Sequence, residues 1–129
     1  MEQFDVRMHP DAVREYEKID NSVINQVDRA IDELVERADK DGKNLSNKSS
    51  TKLAGCKEIK LRDIGIRIIF KVTNEVVHVL RIVFILSIER RPKGEVFKTA
   101  NRRHDFLKSL PKVRLNSYLS KMVRWRKKK

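Results

Sequence analysis

The chain has 129 residues, a length suited to one domain with a modest core. Forty per cent of the residues are apolar and 37% charged, and the formal net charge of +12 points to an anionic partner: nucleic acid first, an anionic membrane surface or an acidic protein second. The single cysteine, Cys56, excludes an intrachain disulfide and fits a reducing cytosol.

The charge is unevenly placed. Of thirty Lys/Arg and eighteen Asp/Glu residues, twelve and one respectively lie in residues 98–129, so the body is nearly neutral and the tail is the polycation. His9, His78 and His104 are too scattered to build a metal site with Cys56, and no cofactor is expected. The N-terminus has no apolar core of signal-peptide type, and the longest apolar run, residues 82–86, is far too short to cross a bilayer. A soluble, cytoplasmic protein is expected.

In chain order, residues 3–8 alternate Phe4, Val6 and Met8 with Asp5 and Arg7, predicting a first strand. Pro10 and Asp11 then suit the first turn of a short helix over residues 11–19. Asp20, Asn21 and Ser22 break that helix and offer the next one an N-cap. Val23, Ile24, Val27, Ile31, Leu34, Val35 and Ala38 recur on one helical face, so a second helix is expected, folded back on the first across a sheet. Residues 39–52 are polar, aperiodic and read as a loop.

KEIKLRDIGIRIIFKV (residues 57–72) reads as a hairpin turning at residues 63–65. Glu58, Lys60 and Arg62 share one face of its first strand, opposite Ile59 and Leu61. Ile66, Ile68, Phe70 and Val72 share one face of the second strand, with Arg67 on the other. VVHVLRIVFILSI (residues 76–88) is apolar on both faces, as a central, doubly covered strand requires. Residues 95–103 look helical, and from Pro111 a further stripe of Leu115, Tyr118, Leu119, Met122 and Val123 predicts a helix that closes on WRKKK.

The expected architecture is α+β: a helical hairpin packed on a small antiparallel sheet, in the order β-α-α-β-β-β-α, with a basic C-terminal helical extension. The divisions expected are a domain over residues 1–104 and an amphipathic extension over residues 105–129. This order, with LAGCKEIKLRDIGIRIIFKV (residues 53–72) and RRPKGEVFKTANRR (residues 90–103), resembles the RelE/ParE superfamily of toxins from type II toxin–antitoxin systems. The resemblance spans about residues 3–104.

The RelE branch implies a ribosome-dependent endoribonuclease (an mRNA interferase, and so a translation inhibitor) neutralised by a cognate antitoxin. The ParE branch implies a gyrase inhibitor. Position by position, the resemblance implies that Arg67 stabilises the reacting phosphate and that Arg91 protonates the leaving group or stabilises charge. It gives Lys60 and Arg62 the task of holding RNA and helping to activate the 2′-hydroxyl. Arg90, Lys93, Arg102 and Arg103 join them as RNA-binding candidates.

Two departures stand out: Phe97 occupies the position of a usual tyrosine, keeping a ring for base stacking but no hydroxyl, and Glu58 replaces a lysine. Glu58 is therefore either a candidate general base or a cross-strand partner for a cation. The chemistry agrees with these residue types, because guanidiniums stay charged and fork onto two phosphate oxygens. No Ser/His/Asp arrangement, Gly-rich phosphate loop or paired-carboxylate site competes. The expected function is mRNA cleavage; the alternative is a non-enzymatic binding protein of the same fold, either a gyrase inhibitor or a lapsed toxin. The basic tail reads either as a further nucleic-acid contact or as a docked segment with a solvated WRKKK end.

Overall fold

A computed structural model describes residues 3–49, 51–90 and 93–127, excluding the side chains of residues 93 and 94. The elements are β1 (Phe4–Met8), α1 (Pro10–Glu17), α2 (Ile24–Arg37), β2 (Lys43–Asn44), β3 (Cys56–Leu61), β4 (Ile66–Val77), β5 (Leu80–Glu89), α3 (Lys93–Ser109), α4 (Lys112–Ser120) and β6 (Val123–Arg124). They build a six-stranded sheet in the order β2-β3-β4-β5-β1-β6. All neighbours are antiparallel except β1 and β5, which run parallel. The α+β class is as expected, but the sheet is mixed and wider than the small antiparallel one read from sequence.

Two cores cover its two faces. On one, α1 and α2 pack Ala12, Val27, Ile31, Leu34 and Val35 on Val6, Ile66, Ile68, Phe70, Val83 and Ile85. Val27, Ile31 and Leu34 are fully buried, each contributing about 1.5–3 kcal/mol of apolar transfer. On the other face, Val96, Ala100 and Leu107 of α3 and Leu119 of α4 pack on Cys56, Ile69, Ile82, Phe84 and Leu86. Strand β5 sits at the centre and is apolar on both sides, as its composition requires.

Three local differences from the sequence reading have physical causes. The apolar run 76–88 is not one strand: Val76 and Val77 end β4, His78 and Val79 turn, and β5 begins at Leu80. The turn needs a positive φ, which falls on His78 (58°), one of the few side chains that enter this region readily. Arg62 is not on β3 but in a 3₁₀ turn over Arg62–Ile64, closed by Gly65 at φ 68°. The loop expected over 39–52 contains β2 and a bridge between Asn47 and Lys52. Gly42 lets it enter the sheet: at φ 78°, a Cβ there would lie 3.0 Å from the Glu58 carbonyl oxygen.

The C-terminal stripe also divides. Helix α4 ends at Ser120, and Val123–Arg124 pair antiparallel with β1 as an edge strand. Arg7 holds the connection by donating Nη1 to the carbonyls of Ser120 (2.8 Å) and Met122 (3.0 Å). Trp125, read as part of a solvated end, is instead buried, because its backbone N–H reaches Val6 (2.7 Å) and its indole Nε1 donates to Asp32 (2.8 Å). No described helix is long and apolar enough to cross a membrane.

Candidate functional site

The site is built where β3, β4 and β5 present polar side chains toward α3. Lys60 lies directly opposite Arg67, and Arg67 directly opposite Glu89, so three strands contribute one transverse row. Glu58, two residues from Lys60 on the same face, is 3% exposed. It accepts a 2.8 Å bond at Oε2 from Arg67 Nη1. This is the cross-strand pairing open to Glu58 from sequence. The row therefore mixes signs rather than forming a purely cationic cradle.

Glu89 joins the row because of a β-bulge. The register between β4 and β5 shifts after Ile69, leaving Leu86 as an extra residue between Ile85 and Ser87. Without it, Glu89 would share the face of Val83 and Ile85 and point toward α1. Glu15 and Arg103 staple this bulge. Glu15 Oε1 accepts from the Ile88 N–H (3.0 Å), and Arg103 donates to the Leu86 carbonyl (2.8 Å) and to both Glu15 oxygens (3.0 and 2.8 Å). Glu15 was no sequence candidate, since nothing local in α1 marks it as the partner of a residue 88 positions away.

A cavity of about 200 Å³ opens beside the row. Glu58 and Lys60 of β3, Phe97 of α3 and residues 43–46, 48, 51 and 53 line it. Phe97 does two jobs, packing against the core under α3 and presenting ring surface to the cavity. The lining segment is fastened to α3, because Asn101 Oδ1 accepts from the Lys52 N–H (2.5 Å) and His104 Nδ1 lies 3.2 Å from the Lys52 carbonyl. The other ring nitrogen of His104 lies 2.9 Å from Lys71 Nζ. A neutral imidazole satisfies both, donating to the carbonyl and accepting from the ammonium.

The other sequence candidates lie apart. Arg62 is exposed on its 3₁₀ turn, and Arg102 is exposed on α3. Arg90 donates Nε to the Ile64 carbonyl (3.0 Å) and borders a different cavity of about 430 Å³ with Lys18, Asp20 and Glu89. Arg103 is engaged in the bulge staple, its side chain 12% exposed. Arg91 and the Lys93 side chain lie outside the described residues. Among the described residues no group of three or more His, Cys, Asp or Glu could hold a metal ion. Burial pushes the Cys56 thiol up to about 12, against the pull of Lys71, so this cysteine is no nucleophile at neutral pH.

Two histidines make stability pH-dependent. Burial, then Lys71, holds His104 below the ordinary 6.5, and burial, then Arg103, does the same for His9, whose Nδ1 caps α1 by accepting from Asp11 N–H. The unfolded chain therefore takes up protons first as pH falls, so stability is fully present above 6.5 and declines below it, down to the lowered folded values. Denaturation midpoints should fall between pH 7.5 and 5.5, and His104→Gln should remove part of that slope.

No family model matches the chain. The mRNA interferase toxin RelE of Escherichia coli is 28% identical over 92 residues, 71% of this chain and 87% of the relative, and the Shigella flexneri mRNA interferase RelE matches to the same extent. A free E. coli RelE variant carrying two arginine-to-alanine substitutions superposes with a TM-score of 0.60 at 24% identity, covering 80% of this chain and 98% of that one. The chain is thus similar in sequence to RelE toxins and shares their fold. Relatives of this RelE-like chain have also been solved with antitoxins. The intact E. coli RelBE toxin–antitoxin complex matches with a TM-score of 0.55 at 21% identity over 70% of this chain and 99% of that one. The Mycobacterium tuberculosis RelBE2 complex matches with a TM-score of 0.53 at 25% identity over 70% and 94%.

Proposed function

We propose that this protein is the toxin of a type II toxin–antitoxin pair and an endoribonuclease that cuts mRNA on the ribosome. The observation that carries the reading is the meeting of Glu58 and Lys60 with Phe97 at one cavity, with Arg67 bonded to Glu58 beside it. Internal cleavage needs a deprotonated 2′-oxygen, a stabilised pentavalent phosphorane and a protonated 5′-oxygen. Glu58 takes the proton from the 2′-hydroxyl, and that oxygen attacks phosphorus. Arg67, oriented by the same carboxylate, and Lys60 meet the charge that develops on the phosphorane. Arg91 is assigned the leaving 5′-oxygen on the strength of the resemblance. The products are a 2′,3′-cyclic phosphate and a 5′-hydroxyl.

The antitoxin partner is supported by similar proteins solved as toxin–antitoxin complexes. One observation favours a second reading: Arg67 already has a buried carboxylate partner, so a phosphate must compete with Glu58 for it. A gyrase inhibitor or a lapsed toxin needs no such exchange. Brief induction in cells separates these. The nuclease reading expects growth arrest with codon-phased mRNA cuts bearing 5′-hydroxyls. Arrest with DNA breaks, or no arrest, contradicts it.

A further inference from the structure

The Lys60–Arg67–Glu89 row is held unequally from its two sides. Strands β3 and β4 pair without interruption from Cys56–Lys71 to Leu61–Ile66, which fixes Lys60 opposite Arg67. Strand β5 reaches the row only past its bulge, where the described pairs with β4 are Ile69–Ser87, Ile68–Ile88 and Arg67–Glu89. Among the described residues no strand lies on the other edge of β5 there. Strand β1 ends at Met8, opposite Ile85, and the His9 N–H closes that ladder on the Ile85 carbonyl (3.0 Å). Leu86, Ser87, Ile88 and Glu89 are nonetheless buried, so the backbone groups they turn to that edge need partners.

Two side chains supply them. Glu15 of α1 accepts from the Ile88 N–H (3.0 Å), and Arg103 of α3 donates to the Leu86 carbonyl (2.8 Å). The same guanidinium donates to both Glu15 oxygens (3.0 and 2.8 Å), so the two side chains brace each other in the place a strand would take. Their side chains are 18% and 12% exposed, so these charge-assisted bonds face little competition from water. The arrangement is specific in its chemistry. Position 15 needs an acceptor for a backbone N–H, and position 103 needs a fork, because a single ammonium cannot serve a carbonyl and two carboxylate oxygens in this geometry.

We propose that Glu15 and Arg103 are positioning residues for the row: standing in for a strand on the outer edge of β5, they hold Glu89 opposite Arg67 and so set where the Arg67 guanidinium meets a phosphate. The proposal rests on the RNA-directed reading above and adds to it two residues that do not line the cavity beside the row. Neither acts on the reacting atoms. A misplacement of about 1 Å at a reacting group costs on the order of 100-fold in rate, so a loosened β5 end slows cleavage without weakening the hold on RNA.

The test measures mRNA cleavage on programmed ribosomes by the full chain and its Arg103→Lys, Glu15→Gln and Trp125→Ala variants, each below its melting midpoint. Arg103→Lys keeps the charge and should lower kcat at least about 10-fold, with KM within about twofold of wild type. Glu15→Gln keeps an acceptor for the Ile88 N–H and should fall between. Trp125→Ala, destabilised but remote from the row, should keep kcat within about twofold, which separates positioning from lost stability. Two further readouts need no reaction: in Arg103→Lys the Ile88 amide should exchange faster, and the cross-strand nuclear Overhauser contacts between Arg67 and Glu89 should weaken. An unchanged kcat in Arg103→Lys, a raised KM in place of a lowered kcat, or an equal loss in Trp125→Ala overturns the proposal. A wild type that cuts nothing removes the nuclease reading. The positioning then stands if exchange and Overhauser contacts change in Arg103→Lys, and falls if they do not.

Discussion

Arg67→Ala should lower mRNA cleavage on programmed ribosomes by at least about 100-fold, the usual cost of removing one group that stabilises developing oxyanion charge. It should also destabilise the fold. Glu58 is 2% exposed in its side chain and loses its 2.8 Å guanidinium partner, leaving a nearly buried carboxylate poorly compensated. Removing one member of a buried pair costs about 3–5 kcal/mol, and because a quarter of the Arg67 side chain is open, about 2–3 kcal/mol is expected here. The two effects separate in Arg67→Lys. A lysine keeps a cation beside Glu58, so stability should stay near wild type, while the loss of the planar fork should still slow cleavage, with Glu58 left in place as base.

The second large effect lies far from the site. Trp125→Ala should cost about 3–5 kcal/mol, the range for emptying a buried aromatic position, and lower the melting midpoint by about 10–20 °C. Trp125 is 8% exposed, meets Tyr16 edge-on at 5.5 Å and donates to Asp32, so it ties the C-terminal segment to both α1 and α2. Lys127→Ala should leave the midpoint essentially unchanged, although Lys127 reaches Glu36 at 2.8 Å, because both partners are exposed. Thermal melts of the two variants check the contrast. If the tail were a solvated arm, both substitutions would be silent.

That contrast shows where the sequence was and was not legible. Period-two patterning placed Ile59, Leu61, Ile66, Ile68, Phe70 and Val72 on one face of the β3–β4 hairpin, and the structure puts them all against α1 and α2. Glu58, Lys60 and Arg67 could thus be assigned to one face before any coordinates. The turn at His78–Val79 escaped notice because neither residue is a Gly, Asn or Pro, and the apolar pattern runs straight through it. The β6 strand is two residues long and continues the helical stripe of α4, so periodicity cannot see where the helix stops. The wall made by residues 43–49 and 51–53 owes its order to side chains bonding backbone, which leaves no periodic trace.

The bulge at Leu86 had the largest consequence for the site. One extra residue moves Glu89 across the sheet to stand opposite Arg67, and no composition signal announces it. Its staple joins α1 to α3 through Glu15 and Arg103.

The central claim is that Arg67 acts on a phosphate and is not merely the structural partner of Glu58. The measurement that tests it most directly is cleavage of mRNA on programmed ribosomes by the Arg67→Lys variant, alongside its melting midpoint and those of the wild type and Arg67→Ala. The account predicts a protein more stable than Arg67→Ala that cuts the message far more slowly than the wild type, which leaves 5′-hydroxyl ends. Cutting by Arg67→Ala at a rate near wild type would contradict it.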